Sequence, residues 1–161
     1  MQEFFEKARR ILAEQLDIDV DLIKMDTTFD EIEACLRADG WPVETLRDHS
    51  LRTGFQGISK AFPVFVYTEG SYVVFAIVPY RKLPGDEALA RTLMDTLLRL
   101  NDQMVFAKFS VDEDGDAILS VEYPMSYLNE SSLRDALDVL AYYANQHWEP
   151  LSAMGAVPAL R

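Results

Sequence analysis

The residues of this chain that could do chemistry are mostly carboxylates. The run Asp112-Glu113-Asp114-Gly115-Asp116 has the composition of a calcium loop. A helix-flanked loop of that kind needs glycine at its sixth position and glutamate at its twelfth. Counted from Asp112, Gly115 falls at position 4 and position 12 is Tyr123, so the run reads as a solvated turn. Asp17, Asp19 and Asp21 alternate with Ile18, Val20 and Leu22, with no other ligand type close in sequence; this too reads as a solvated loop. Asp48, His49 and Ser50 set acid, imidazole and hydroxyl side by side. A nucleophilic triad is assembled in space from separate elements, so adjacency is not its geometry. His147 falls near the end of the last helix, where a partly cationic imidazole suits the helix dipole. Two histidines and one cysteine cannot fill a zinc site without carboxylates, and no spacing suggests one. Cys35 stands one position off an apolar stripe and reads as a small buried hydrophobe. Gly54-Phe55-Gln56-Gly57 lacks the Lys-Ser/Thr ending of a phosphate loop. No catalytic residue, metal ligand or cofactor is expected, and the chain reads as a binding protein rather than an enzyme.

The elements that would carry these residues amount to one domain with an appended arm: 161 residues and 18.3 kDa. Fifteen basic against 27 acidic residues give a net charge of −12, which disfavours nucleic acid as a partner because phosphate binding takes clustered Lys and Arg. One cysteine cannot make an internal disulfide, which suits a reducing cytoplasm. The opening MQEFFEKARR carries charges where a signal peptide has an apolar core. The longest apolar run, Val73 to Val78, is far shorter than the ~20 residues of a membrane span. A cytoplasmic location without membrane contact is the expectation.

Periodicity predicts an amphipathic arm helix over 2–16, with Phe5, Ala8, Ile11, Leu12 and Leu16 on one side. Thr27 or Thr28 can cap a second helix that buries Phe29, Ile32 and Leu36 and stops at Gly40. From Leu51 the period changes to two. Strands are expected at 50–57, 62–68 and 71–79, the last two joined by a Glu69-Gly70 loop that sets Tyr67 opposite Tyr72 and Phe65 opposite Val74. Asp86 caps a helix over 87–102 with a stripe of Leu89, Leu93, Leu97 and Leu100. A second hairpin, 104–112 with 116–123, takes a three-residue Glu113-Asp114-Gly115 loop that aligns Val105/Tyr123, Ala107/Val121, Phe109/Leu119 and Val111/Ala117. The last helix is expected from Ser131 or Ser132 to about Trp148, ended by Glu149-Pro150. The order makes an α+β fold, an antiparallel five-stranded sheet with helices mainly on one face. An arm (1–26), a domain (27–151) and a tail (152–161) follow.

An antiparallel sheet with one wet face alternates apolar and polar residues, as the second hairpin does. The first hairpin is apolar on both faces: Phe62, Val64, Val66, Val73, Phe75 and Ile77 on one, Phe65, Tyr67, Tyr72, Val74, Ala76 and Val78 on the other. Something must cover Phe65, Tyr67, Tyr72 and Val74: the arm, a neighbouring helix, a second copy of the chain, or a client segment. Residues 1–40 are net −6 and 86–161 net −8, whereas 41–85 are net +2. The charge thus marks solvated surfaces and leaves the first hairpin as the sparsely charged place for a partner.

Leu98-Leu100-Asn101, Ala107 to Asp116, Glu122-Tyr123-Pro124 and the closing helix Leu133 to Trp148 carry a resemblance. Over residues 29–151 the chain resembles the YbjN family, whose fold is that of type III secretion chaperones and which is described as peptide-binding and chaperone-like. The resemblance implies a homodimeric, non-enzymatic module that binds protein segments, its client unidentified; it transfers no site residue by residue. Separately, Ile11-Leu12-Ala13-Glu14-Gln15-Leu16, Ile23 and Thr28-Phe29-Asp30 resemble the start of acyl carrier proteins. That family attaches phosphopantetheine to the serine of an Asp-Ser-Leu, where this chain has Glu33-Ala34-Cys35-Leu36. A carrier-like or enzyme-associated domain is the alternative reading, and a regulator of transcription acting through protein contacts is a third.

Overall fold

The computed structural model describes residues 29–46 and 50–154. The expected arm helix, the Asp17–Asp21 loop, the Thr27/Thr28 cap, His49 and the tail from 155 on lie outside the described residues.

Helix α1 (Phe29–Ala38) puts Ile32 and Leu36 on one face, and both are fully buried. It closes at Gly40, whose φ of +80° is costly for any residue with a Cβ. The Gly40 and Trp41 N–H groups donate back to the carbonyls of Arg37 and Leu36, which satisfies the helix end. The chain continues through β1 (Glu44–Thr45), β2 (Ser50–Gln56), β3 (Ala61–Glu69), β4 (Tyr72–Lys82), α2 (Glu87–Gln103), β5 (Ala107–Val111), β6 (Asp116–Pro124), a 3-10 turn (Met125–Tyr127) and α3 (Glu130–Ala153). All pairings are antiparallel, in the order β1-β2-β3-β4-β6-β5. The sheet has six strands, one more than expected. The addition is β1, whose two residues pair as Glu44↔Arg52 and Thr45↔Leu51 and are too few to carry a period.

The first hairpin turns at Gly70-Ser71, not Glu69-Gly70: Glu69 pairs with Tyr72, Tyr67 with Val74 and Phe65 with Ala76. Gly70 has φ +59° and Ser71 does not share the positive φ. Placing glycine first in the loop is the demand of a II′ turn, which the expected loop would have put on glutamate. The slip is by an even number of residues, so both faces keep their members. In the second hairpin Ala107↔Val121, Phe109↔Leu119 and Val111↔Ala117 align as expected, with Gly115 at φ +75°. Val105/Tyr123 does not form, because Phe106 turns out of the strand at φ +66°.

Asp86 caps α2, accepting the Leu89 N–H at 2.9 Å. Leu93 and Leu97 are buried, but Leu89, expected in the same stripe, is 43% exposed. Helix α3 is capped by Asn129, not Ser131 or Ser132: Asn129 accepts the Ser132 N–H, and the Ser132 hydroxyl accepts the Asn129 N–H. It runs through Pro150 to Ala153. Proline removes one backbone bond close to the end of the helix, while buried Leu151 and the Arg81 guanidinium, which donates to the Met154 carbonyl, hold the last turn.

One sheet face, with Leu51, Val64, Val66, Val73, Phe75, Ile77, Leu119 and Val121, packs with residues of the three described helices into one core. Tyr80 sits in it among Phe62, Phe109 and Trp148. Its hydroxyl donates to the Ala144 carbonyl, and burial pushes its pKa up. No helix among the described residues is long and apolar enough to cross a membrane.

Candidate functional site

The sheet face opposite this core is ordered by strand register. One cross-strand row runs Ser50, Tyr67, Val74, Glu122, and the next runs Arg52, Phe65, Ala76, Ser120, Lys108. Tyr72 stands one row further out, opposite Glu69 and Pro124. The structure therefore brings Phe65, Tyr67, Tyr72 and Val74 together on two adjacent strands. Tyr72 is 49% exposed and Val74 only 3%, with Phe65 and Tyr67 half-buried. Val74 and Ala76 are buried yet stand outside the main core cluster. Two ion pairs flank the aromatic rows: Lys108–Glu122 at 2.5 Å and Arg52–Glu44 at 3.7 Å. The Tyr67 phenol is pushed upward first by burial, then by Glu69 and Glu122, with Lys108 opposing. It therefore stays neutral, an aromatic body with a polar tip.

Other residues singled out in the sequence serve the fold. Asp112 spends its carboxylate on the turn: Oδ1 accepts the N–H groups of Asp114 at 3.0 Å and Asp116 at 2.8 Å. Among the described residues no group of three or more His, Cys, Asp or Glu could hold a metal ion. Cys35 is partly buried against the core. His147 does not sit at a helix end as a cation. Because α3 continues to Ala153, the imidazole lies inside the helix, stacked on Tyr143 at 5.8 Å with Phe109 edge-on at 6.1 Å. Burial lowers its pKa, so the neutral ring is favoured.

Two features have roles that no period in the sequence announces. Asn101, in the last turn of α2, donates to the Phe109 carbonyl at 3.0 Å and accepts its N–H at 2.7 Å. The amide thereby occupies the outer edge of β5 at its centre and blocks strand addition there. Phe106, 67% exposed, lies parallel to Tyr123 with centroids 6.1 Å apart. Its left-handed backbone is an outcome of tertiary placement that no local pattern announces.

With this geometry in view, comparison with known proteins is specific about the fold. Residues 28–151 match the family model YbjN, described as "Putative bacterial sensory transduction regulator". No curated protein matches the chain by sequence. Among solved structures, the chain is similar to YbjN from E. coli, with a TM-score of 0.54 and 9% identity, over 75% of this chain and 91% of that one. It is also similar to a chain of the heterodimeric ExoU–SpcU complex of the Pseudomonas aeruginosa type III secretion system, with a TM-score of 0.52 and 17% identity, over 76% and 96%. A third likeness is to the Yersinia pestis type III secretion chaperone SycH in complex with a YscM2 fragment: TM-score 0.49, 17% identity, over 73% and 97%.

Proposed function

The chain belongs to the YbjN family and has the fold of type III secretion chaperones, and from that premise we propose that it is a non-enzymatic, cytoplasmic, homodimeric module that binds a segment of another protein. The observation that carries the reading is the aromatic and aliphatic face of β3 and β4 turned away from the core, with Phe65, Tyr67 and Tyr72 as its accessible centre around the buried Val74. Similarity to a chain of a complex between two proteins, ExoU and SpcU, supports the same direction. The client supplies an extended or helical stretch whose apolar side chains lie against the two tyrosines and Phe65, while the Lys108–Glu122 and Arg52–Glu44 pairs bound the contact with polar groups. Binding involves no turnover.

A photo-crosslinking residue at position 72, half exposed, tests this directly. The expected result is a covalent adduct with a protein client that is lost in the Phe65→Ser/Tyr67→Ser double variant while that variant stays folded. If the double variant unfolds instead, the face is interior core and the reading is wrong. Light scattering over a range of concentrations checks the homodimer; a monomer throughout would sink that part.

A further inference from the structure

We infer that a second recess, between α3 and the β5–β6 end of the sheet, is a subsite for a guanidinium side chain, an arginine of a partner protein. It lies on the helix-bearing side and does not depend on the outer sheet face. The recess encloses about 320 Å³ and is lined by Phe106, Val121, Tyr123, Asp135, Ala136, Asp138 and Val139. That volume is at the lower end of small-molecule sites, the scale of one long side chain rather than a folded element.

Its chemistry is graded from floor to rim. Val121 and Ala136 are buried at 0% and 1% and make an apolar floor, suited to the methylene stem of a long cation. The parallel rings of Phe106 and Tyr123 form one wall, and ring faces attract cations, arginine most often. Asp135 and Asp138 stand three apart on α3, hence on neighbouring positions of one helix face, and are exposed at the rim. Neither carboxylate has a hydrogen bond or ion pair among the described residues. The adjacent cation of the helix, Arg134, is committed elsewhere, bonded to Asp39 at 2.5 Å and to Glu130 at 2.5 Å. Two carboxylates without an ion pair of their own, beside two aromatic rings, favour a positive occupant, although Asp138 also borders a neighbouring recess that Arg134 and Asp39 line. A planar guanidinium satisfies both, since it stacks on a ring and bonds a carboxylate in a fork.

The loop that presents the wall is tied in place. Met104 N–H donates to the Leu100 carbonyl and Val105 N–H to the Tyr143 hydroxyl, both at 3.0 Å. Phe106 then takes its φ of +66° with its ring outside the core. The wall is therefore preorganised, which lowers the ordering cost of binding.

Titration of isotopically labelled protein with N-acetyl-arginine N-methylamide, followed by amide shifts, tests the inference apart from any client. Saturable shifts confined to 105–107, 121–123 and 135–139 are expected. The neutral isostere, the citrulline amide, should bind roughly tenfold more weakly or worse, the scale of one charge-assisted contact. Phe106→Asn, whose side chain suits the same backbone, and Asp135→Asn/Asp138→Asn should each weaken arginine by a similar factor. Shifts scattered over the surface without saturation, equal binding of citrulline, or unchanged binding by both variants would overturn it. Failure of the crosslink at position 72 would leave this result untouched.

Discussion

His147 and Phe106 show how single residues are set by surroundings that lie far away in the chain. The imidazole of His147 is held between Tyr143 and Phe109, and its Nε2 is buried with no hydrogen-bond partner. Its pKa in the folded protein lies below the ordinary 6.5 because burial penalises the cation. The unfolded chain therefore takes up the proton first, and the stability that the neutral ring confers is present above pH 6.5 and lost as pH falls. Denaturant midpoints should be level above that value and decline from it toward about pH 4.5, where ordinary carboxylates begin to titrate. His147→Phe should flatten the decline; an unchanged slope would refute the assignment. Asp39 and Glu33, both held below the usual carboxylate range by hydrogen bonds from Arg134 and Arg37, act in a lower pH window. Phe106 holds a conformation that costs a bulky L-residue on the order of 1–2 kcal/mol. Phe106→Asn removes that strain and forfeits the stacking on Tyr123, worth about 0.5–1.5 kcal/mol. The two nearly cancel, so thermal unfolding should move by only a few degrees while arginine binding falls.

At the scale of elements, the edge of β5 depends on one side chain of α2. Asn101 satisfies both backbone groups of Phe109, so Asn101→Ala leaves them to water and opens an edge. A loss of about 1–2 kcal/mol is expected, together with faster hydrogen exchange at the Phe109 amide and a greater tendency to aggregate. Exchange at Phe109 no faster than in the parent would rule out the clamp. Helix α3 is a further case. Its cap moved from Ser131/Ser132 to Asn129 because Asn and Ser are nearly equivalent caps locally, and the reciprocal bonds of Asn129 and Ser132 decide between them. Asn129→Ala should cost about 1 kcal/mol in denaturant unfolding. Its far end passed Pro150 because burial of Leu151 outweighs one missing bond. The β1 strand was illegible for a simpler reason: two residues have no period, and only pairing with β2 defines them.

For the molecule as a whole, the net charge of −12 and the sparsely charged first hairpin point the same way. Acids occupy helix surfaces and the second hairpin, and the face of β3 and β4 stays apolar. If that face is where a client or a second copy docks, association should respond weakly to salt. Arginine binding at the acidic recess should weaken clearly as ionic strength rises past the Debye scale of about 10 Å at 0.1 M. Comparing the two salt dependences separates the surfaces; equal dependence would refute the role of the two carboxylates at the recess.

Alternation and helical spacing by themselves determined most of the architecture. They placed the three described helices and five of the six strands, the loop of the second hairpin and the membership of both faces of the first. These depend on local geometry, period two against period 3.6 and the turn chemistry of Gly and Asp, which neighbours in sequence settle among themselves. The candidate residues Phe65, Tyr67, Tyr72 and Val74 were legible for the same reason, since parity survives an even slip in register. Tertiary structure alone decided which of them are covered: Val74 is 3% exposed and Tyr72 49%. It also decided that Asn101 closes an edge, that a partly buried His147 stacks on Tyr143 beside Phe109, and that Phe106 and Tyr123 meet Asp135 and Asp138 around a recess. Each of these joins residues from different elements, and no period in the chain encodes a distance between elements.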